Sequence, residues 1–145
     1  MPATIDLHLH TLASDGRLSP TELIQLVANQ GLETISITDH DSTEGLAEAY
    51  EAAKKFPYMR IIPGIEMSAD IPGDEVHVLG YFLDYHDVEF QEMLTELRRG
   101  RVGRAQVMVE KLVALGKPVE WERVLHFAGD GTVGRPHIAL AMVEA

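Results

Sequence analysis

An α/β architecture follows from three features of the chain. Segments that alternate apolar and polar residues are interleaved with segments that have the three-to-four-residue apolar spacing of helices. Their order is strand, helix, strand, helix, strand, the pattern of parallel βαβ units. Helix-start and helix-stop residues fall between them. The first strand is Ile5-Asp-Leu-His-Leu-His10, with Ile5, Leu7 and Leu9 on one face and Asp6, His8 and His10 on the other. Ser19-Pro20-Thr21-Glu22 opens a helix with a capping Ser, a Pro in the first turn and a Glu that closes a capping box. Leu23, Leu26 and Val27 form its apolar stripe, and Gly31 stops it.

A second strand is predicted at about 33–38, where Ile35 and Ile37 alternate with Thr34, Ser36 and Thr38, and it runs into Asp39-His40. Asp41 with Glu44 is placed to cap a second helix, whose face is Leu46, Ala49, Tyr50 and Ala53. Met59–Ile65 reads as a third strand, interrupted by Pro63-Gly64 and leading to Glu66. After a turn at Pro72-Gly73-Asp74, Val76–Phe82 reads as a fourth strand that carries His77. From residue 87 the pattern is helical. Val88–Leu115, with glycines at 100 and 103, is expected to form two helices or one kinked helix, Glu120–Phe127 a short one, and Arg135-Pro136-His137 the start of the last. The expected organisation is a sheet-bearing unit over 1–86 followed by a helical unit over 87–145.

Composition bounds the function. The 145 residues carry 12 basic and 23 acidic side chains, a net charge of −11, with 46% hydrophobic residues, so the chain can bury a core. The charge is uneven: residues 1–84 contain 4 basic and 14 acidic residues, residues 85–145 contain 8 and 9. An acidic surface disfavours nonspecific binding to duplex nucleic acid, while bound cations can still invert the field inside a pocket. No apolar run approaches the ~20 residues that span a bilayer, so no membrane partner and a cytoplasmic location are expected. With no cysteine, a metal must be held by His, Asp or Glu, and there are seven histidines.

The strongest constellation is His8-x-His10 with Asp15, His40, Glu66 and His77. Two histidines at i, i+2 on one strand project the same way and can share an ion. Glu66 is the candidate to bridge two cations through its two oxygens. Read singly, His77 between Val76 and Val78 fits a hydrogen-bonded core histidine equally well, and Asp15 in Ser14-Asp15-Gly16 fits a turn. Asp39 and Asp41 are divided between supporting the ligands and capping.

The order DLHLHT, DG, SITDHDS, PGIEMS and HVLGYF over residues 6–82 resembles the PHP family, the polymerase and histidinol phosphatase domain of metal-dependent phosphoesterases. The resemblance implies the N-terminal part of a distorted seven-stranded (β/α) barrel with a small helical insertion. It also implies two or three divalent ions held by His8, His10, Asp15, His40, Glu66 and His77. Mixed His and carboxylate ligands suit manganese, zinc or iron, with magnesium less natural. Asp15, His40 and Glu66 are the expected catalytic residues. The arginines after 97 and Gly-Arg-Pro-His at 134–137 resemble the insertion of members that dephosphorylate 3′,5′-bisphosphorylated nucleosides or trim short RNA from its 5′ end, so Arg135 and His137 become candidates for gripping phosphate.

The resemblance also implies later ligands and the C-terminal part of the barrel, so residues 1–145 alone are expected to be inactive. Three other readings stand beside it: an amidohydrolase-type metallohydrolase, a non-catalytic polymerase-associated metal-binding domain, and an interaction module acting through the arginine-bearing helix. Arg98, Arg101 and Arg104 drift over one helix face and fit a solvated surface as well as an anion site. Gly129-x-Gly131-x-x-Gly134 has the letters of a dinucleotide motif, but a predicted helix precedes it where a strand is needed.

Overall fold

The computed structural model describes residues 4–71 and 74–144. In chain order the elements are β1 (Ile5–Leu9), α1 (Pro20–Asn29), β2 (Thr34–Ile37), α2 (Gly45–Ala53), β3 (Arg60–Ile71), β4 (Asp74–Tyr81), α3 (Val88–Ala114), α4 (Trp121–Ala128) and α5 (Arg135–Val143). The strands form one sheet in the order β1-β2-β3-β4. It curls far enough for the Tyr81 hydroxyl of the last strand to donate to the Leu7 carbonyl of the first, 2.9 Å away. Among the described residues, no helix is long and apolar enough to cross a membrane.

The parallel pattern holds for β1-β2 and β2-β3 and fails for β4, which runs antiparallel to β3. The reason lies at Pro63-Gly64, which does not interrupt the third strand as the sequence suggests. The first half of β3 pairs with β2 as far as Pro63; from Gly64 onward it pairs with β4. A side chain at Gly64 would stand 2.2 Å from Ser36 Oγ, so this position admits the close approach of the neighbouring strand. β3 therefore continues through Glu66, which lies within a strand and not beyond its end. The predicted turn residues Pro72 and Gly73 lie outside the described residues.

Local chemistry accounts for the helices. Ser19 and Glu22 close the expected capping box on α1. α3 is a single 27-residue helix, started by the Asp87 side chain accepting from the Phe90 N–H at 2.8 Å. Neither Gly100 nor Gly103 breaks it, and a Cβ at either would meet open space. α2 departs from expectation, because Glu44 makes no side-chain cap and Asp41 is engaged elsewhere.

Apolar burial falls into two clusters. Leu23, Ile24 and Val27 of α1 pack with Ile35 and Ile37 of β2 and Leu46, Ala49 and Ala52 of α2. Full burial of side chains such as Ile24 and Ile35 stabilises by about 1.5–3 kcal/mol each, enough to fix α1 and α2 against the sheet. The second cluster joins Ala105 and Val109 of α3 to Val124, Ala128, Val133, Ile138 and Ala141 around α4 and α5. A backbone contact ties this helical part to the first loop: the Thr132 N–H donates to the Ala13 carbonyl at 3.1 Å. A Cβ at Gly131 would stand 2.3 Å from the Leu12 carbonyl oxygen, so glycine is required there for the loops to dock.

Candidate metal centre

Strand ends and one hairpin bring all six imidazole and carboxylate candidates together. β1 delivers His8 and, just past its end, His10, with ring centroids 5.2 Å apart. β2 leads into His40, whose ring is 4.8 Å from His10. His77 stands 4.9 Å beyond His40, so the four rings form a continuous arc. His77 is early in its strand, which would place it at the wrong end of a parallel sheet. The antiparallel pairing of β4 corrects this by setting His77 opposite Ser68, two residues past Glu66.

Glu66 lies inside the arc, buried to 5% exposure. Its Oε2 is 2.9 Å from His8 Nε2, 3.0 Å from His10 Nε2 and 3.7 Å from His40 Nδ1, and its Oε1 is 2.5 Å from His77 Nδ1. Asp15 supplies the second carboxylate, with Oδ1 3.0 Å from His10 Nδ1 and Oδ2 3.5 Å from His40 Nε2. Three overlapping triads result: His8-His10-Glu66, His10-Asp15-His40 and His40-Glu66-His77.

The donor set fits divalent cations. His10 and His40 each turn both ring nitrogens toward carboxylate oxygens. A neutral imidazole has one N–H, so on each ring one nitrogen would present a lone pair to an anion. Either the ring carries a proton on both nitrogens or a cation lies between the atoms. His40 Nδ1 is buried and has no hydrogen-bond partner, the condition of a ligand atom. Two ligands at about 2.1 Å from one ion at a right angle stand about 3 Å apart, close to the shortest separations seen here.

Within the cluster, burial and facing charges oppose each other. Burial alone would lower His10 and raise Asp15 and Glu66. The facing charges win: Asp15 holds His10 above the usual histidine value, His10 and His40 hold Asp15 far below the carboxylate range, and His8 and His77 lower Glu66.

Buried polar residues set the cradle. Asp39, 1% exposed, accepts from the Thr11 N–H and hydroxyl, both at 2.7 Å, and from the Ser14 hydroxyl at 2.6 Å. It thereby folds the loop that carries His10 and Asp15, which assigns it a supporting role. Ser14, whose Oγ is also 3.3 Å from His10 Nδ1, was not legible from sequence, because a serine in a turn carries no distinguishing signal.

A cleft of about 290 Å³ opens onto the cluster. Asp15, His40 and His77 line one wall; Arg101 and Arg104 of α3 and Arg135 at the start of α5 line the other. The structure brings Arg135 to the cluster's cleft and sets His137 on a neighbouring cleft that Asp15 also lines. The His137 imidazole is 4% exposed and its Nδ1 accepts the Gly134 N–H at 3.0 Å, closing the first turn of α5. Burial lowers its pKa against the opposing charge of Asp15, which lines the same neighbouring cleft with Leu12, Arg17 and Phe127. Of the helix-face arginines, Arg99 is the solvated one, paired with Glu96, while Arg101 is 8% exposed.

Residues 6–117 match the PHP domain family. The chain is 34% identical to the 5′-3′ exoribonuclease Rnm of Salmonella typhimurium over 96% of its own length and 48% of that protein's. It is also 34% identical to a 3′,5′-nucleoside bisphosphate phosphatase of Chromobacterium violaceum, over 99% of its own length and 50% of that protein's. In three dimensions it superposes with a TM-score of 0.86 on a Bifidobacterium adolescentis protein assigned as a metal-dependent phosphoesterase, at 34% identity over 97% of this chain and 49% of that one. A C. violaceum amidohydrolase solved with bound sulfate gives 0.88 at 33% identity, over 98% of this chain and 50% of that one. The chain thus spans about half the length of these relatives, and over that half, with its histidine arc closed around Glu66, it belongs to the PHP domain family.

Proposed function

We propose that the intact protein is a metal-dependent phosphoesterase that hydrolyses phosphate esters of nucleotides, either 3′,5′-bisphosphorylated nucleosides or short RNA 5′ ends. The observation that carries this reading is the two-walled cleft, with cation ligands on one side and arginines on the other. A phosphate ester needs both, because its charge must be neutralised at the reacting group and gripped where it does not react. Two or three divalent ions, of manganese, zinc or iron type, would supply Lewis acidity and activate water for in-line attack.

The side chains divide this work. Glu66 faces four imidazoles with both oxygens and acts as the bridge. Asp15, held ionised by His10 and His40, serves as a ligand. Arg104 and Arg135, with the N-terminal end of α5 behind Arg135, accept a second phosphate group. His137 supports this grip indirectly by fixing the first turn of α5. The names of the exoribonuclease and nucleoside bisphosphate phosphatase relatives favour the same substrate class. The amidohydrolase reading needs a further metal-bridging residue, often a carbamylated lysine, and among the described residues none of Lys54, Lys55, Lys111 or Lys117 lines the cleft.

Residues 1–145 by themselves are expected not to turn over. The test is phosphate release by the intact protein from bisphosphorylated nucleosides and 5′-phosphorylated oligoribonucleotides, with and without chelator. Release that chelator abolishes supports the reading; hydrolysis of amides with no phosphate release overturns it.

A further inference from the structure

The first turn after β2 contains a buried ion pair, Asp41 with Arg101, in which none of the cation-binding groups takes part. Asp41 is 1% exposed and adopts a φ of +48°, a left-handed conformation that Asp tolerates better than most residues but still at a cost. Its backbone N–H donates to the Glu66 carbonyl at 3.0 Å, and its Oδ1 accepts the Ser68 N–H at 3.0 Å. Asp41 therefore grips β3 on both sides of Met67, while its neighbour His40 bridges to Glu66. The other carboxylate oxygen takes Arg101 Nε, and the same guanidinium reaches Ser68 Oγ. Arg98 adds a bond to the Asp41 carbonyl at 3.2 Å. Both arginines come from α3, about 60 residues away along the chain.

This arrangement rests on the metal-centre reading above and extends it. His40 and Glu66 must be held at a fixed separation to share a cation, and the strained turn between them is not held by sheet pairing alone. We propose that Arg101 is a positioning residue: by locking Asp41 and Ser68 from the helical side, it fixes His40 against Glu66, so that cation affinity depends on a side chain that ligates no cation. The helical wall is thereby coupled to the cation site as well as to the substrate. Coupling of this kind is reciprocal, so cation binding tightens the contact between α3 and the sheet.

Loss of one partner of a buried ion pair can prevent folding. The test therefore uses two variants of the intact protein: Arg101→Lys, which keeps the charge but loses the planar two-point grip, and the neutral pair Asp41→Asn with Arg101→Gln, which leaves no unpaired charge. Manganese and zinc affinities are measured by competition with a chelating dye, and hydrogen exchange of residues 98–105 is followed with and without metal.

The expected result is cation affinity lowered about 10- to 100-fold in the double variant and by less in Arg101→Lys. Metal-induced protection of α3 should be present in the wild type and lost in the double variant. A merely structural Arg101 would lower the melting temperature and leave both readouts unchanged. Folded variants that bind manganese and zinc within twofold of the wild type overturn this inference alone. A wild-type protein that binds neither ion overturns the metal-centre reading and this inference with it.

Discussion

The two walls of the cleft solve opposite electrostatic problems with opposite kinds of structure. The sheet wall concentrates two carboxylates and four imidazoles, delivered by strands and strand ends and, for Asp15, by the loop after β1, with separations set by sheet pairing and by the Asp39 hydrogen bonds. The helical wall presents guanidinium groups from α3 and α5, whose positions depend on how those helices pack. Sheet geometry permits the few-tenths-of-an-ångström placement that ligands need. Long arginines on helices tolerate substrate variation, because a planar fork can follow a phosphate over a wider range. The overall charge asymmetry, with 8 of the 12 basic residues in the last 61, is the trace of this division in the sequence.

The largest expected effect breaks the sheet wall. Glu66→Gln preserves shape and removes the bridging charge, so turnover of the intact protein should fall on the order of 10³-fold or more. Metal content measured on the same samples should fall with it. Normal turnover at normal metal content would show that Glu66 is not the bridge.

A smaller effect isolates the helical wall. Arg135→Ala and Arg104→Ala should each raise KM for a bisphosphorylated nucleoside by about 10- to 100-fold, the worth of one charge-assisted contact, while metal content stays at the wild-type level. Substrates with a single phosphate should be affected less, and equal effects on both would deny these residues a second-phosphate role.

The smallest effect is a pH dependence whose sign depends on loading. In the metal-free protein, His10 is raised, so its contribution to stability is complete below the ordinary histidine value and is lost as pH rises through the raised one. Asp15 and Glu66 are lowered, so theirs is present above the ordinary carboxylate range and lost only in strong acid. The contribution of His10 to the melting temperature without metal, read as the difference between wild type and His10→Asn, should therefore decline as pH rises above the ordinary histidine value. Its slope is opposite to that of His137, which burial lowers. Cations must displace the His10 proton, so apparent metal affinity should rise over the same interval, by up to about tenfold per pH unit for each proton released. Calorimetric titrations and thermal melts at matched pH check the opposite slopes of metal affinity and of the His10 contribution.

Much of the sheet wall was legible because strand alternation and ligand spacing are local properties. His8 and His10 share a face by period two, and His40 follows an apolar strand, whereas Glu66 sits inside β3 and not past its end. What escaped was long-range. The reversal at Pro63-Gly64 reads as a strand break, yet it is where β3 changes partner, and only the antiparallel return of β4 explains why His77 reaches the site from the start of its strand. Asp41 has the letters of a helix cap but is drawn into a tertiary ion pair. Arg101 could not be told from a solvated neighbour such as Arg99 without the packing of α3. His137 was legible as a candidate phosphate ligand by position, but not the Gly134 N–H that its Nδ1 accepts inside its own helix turn.

Anomalous diffraction from crystals of the intact protein grown with manganese or zinc tests the central claim most directly. Peaks within about 2–2.5 Å of Glu66 carboxylate oxygens and of nitrogens on His8, His10, His40 or His77 are the predicted result. Metal bound elsewhere, with Glu66 hydrogen-bonded only to protonated imidazoles, would contradict it.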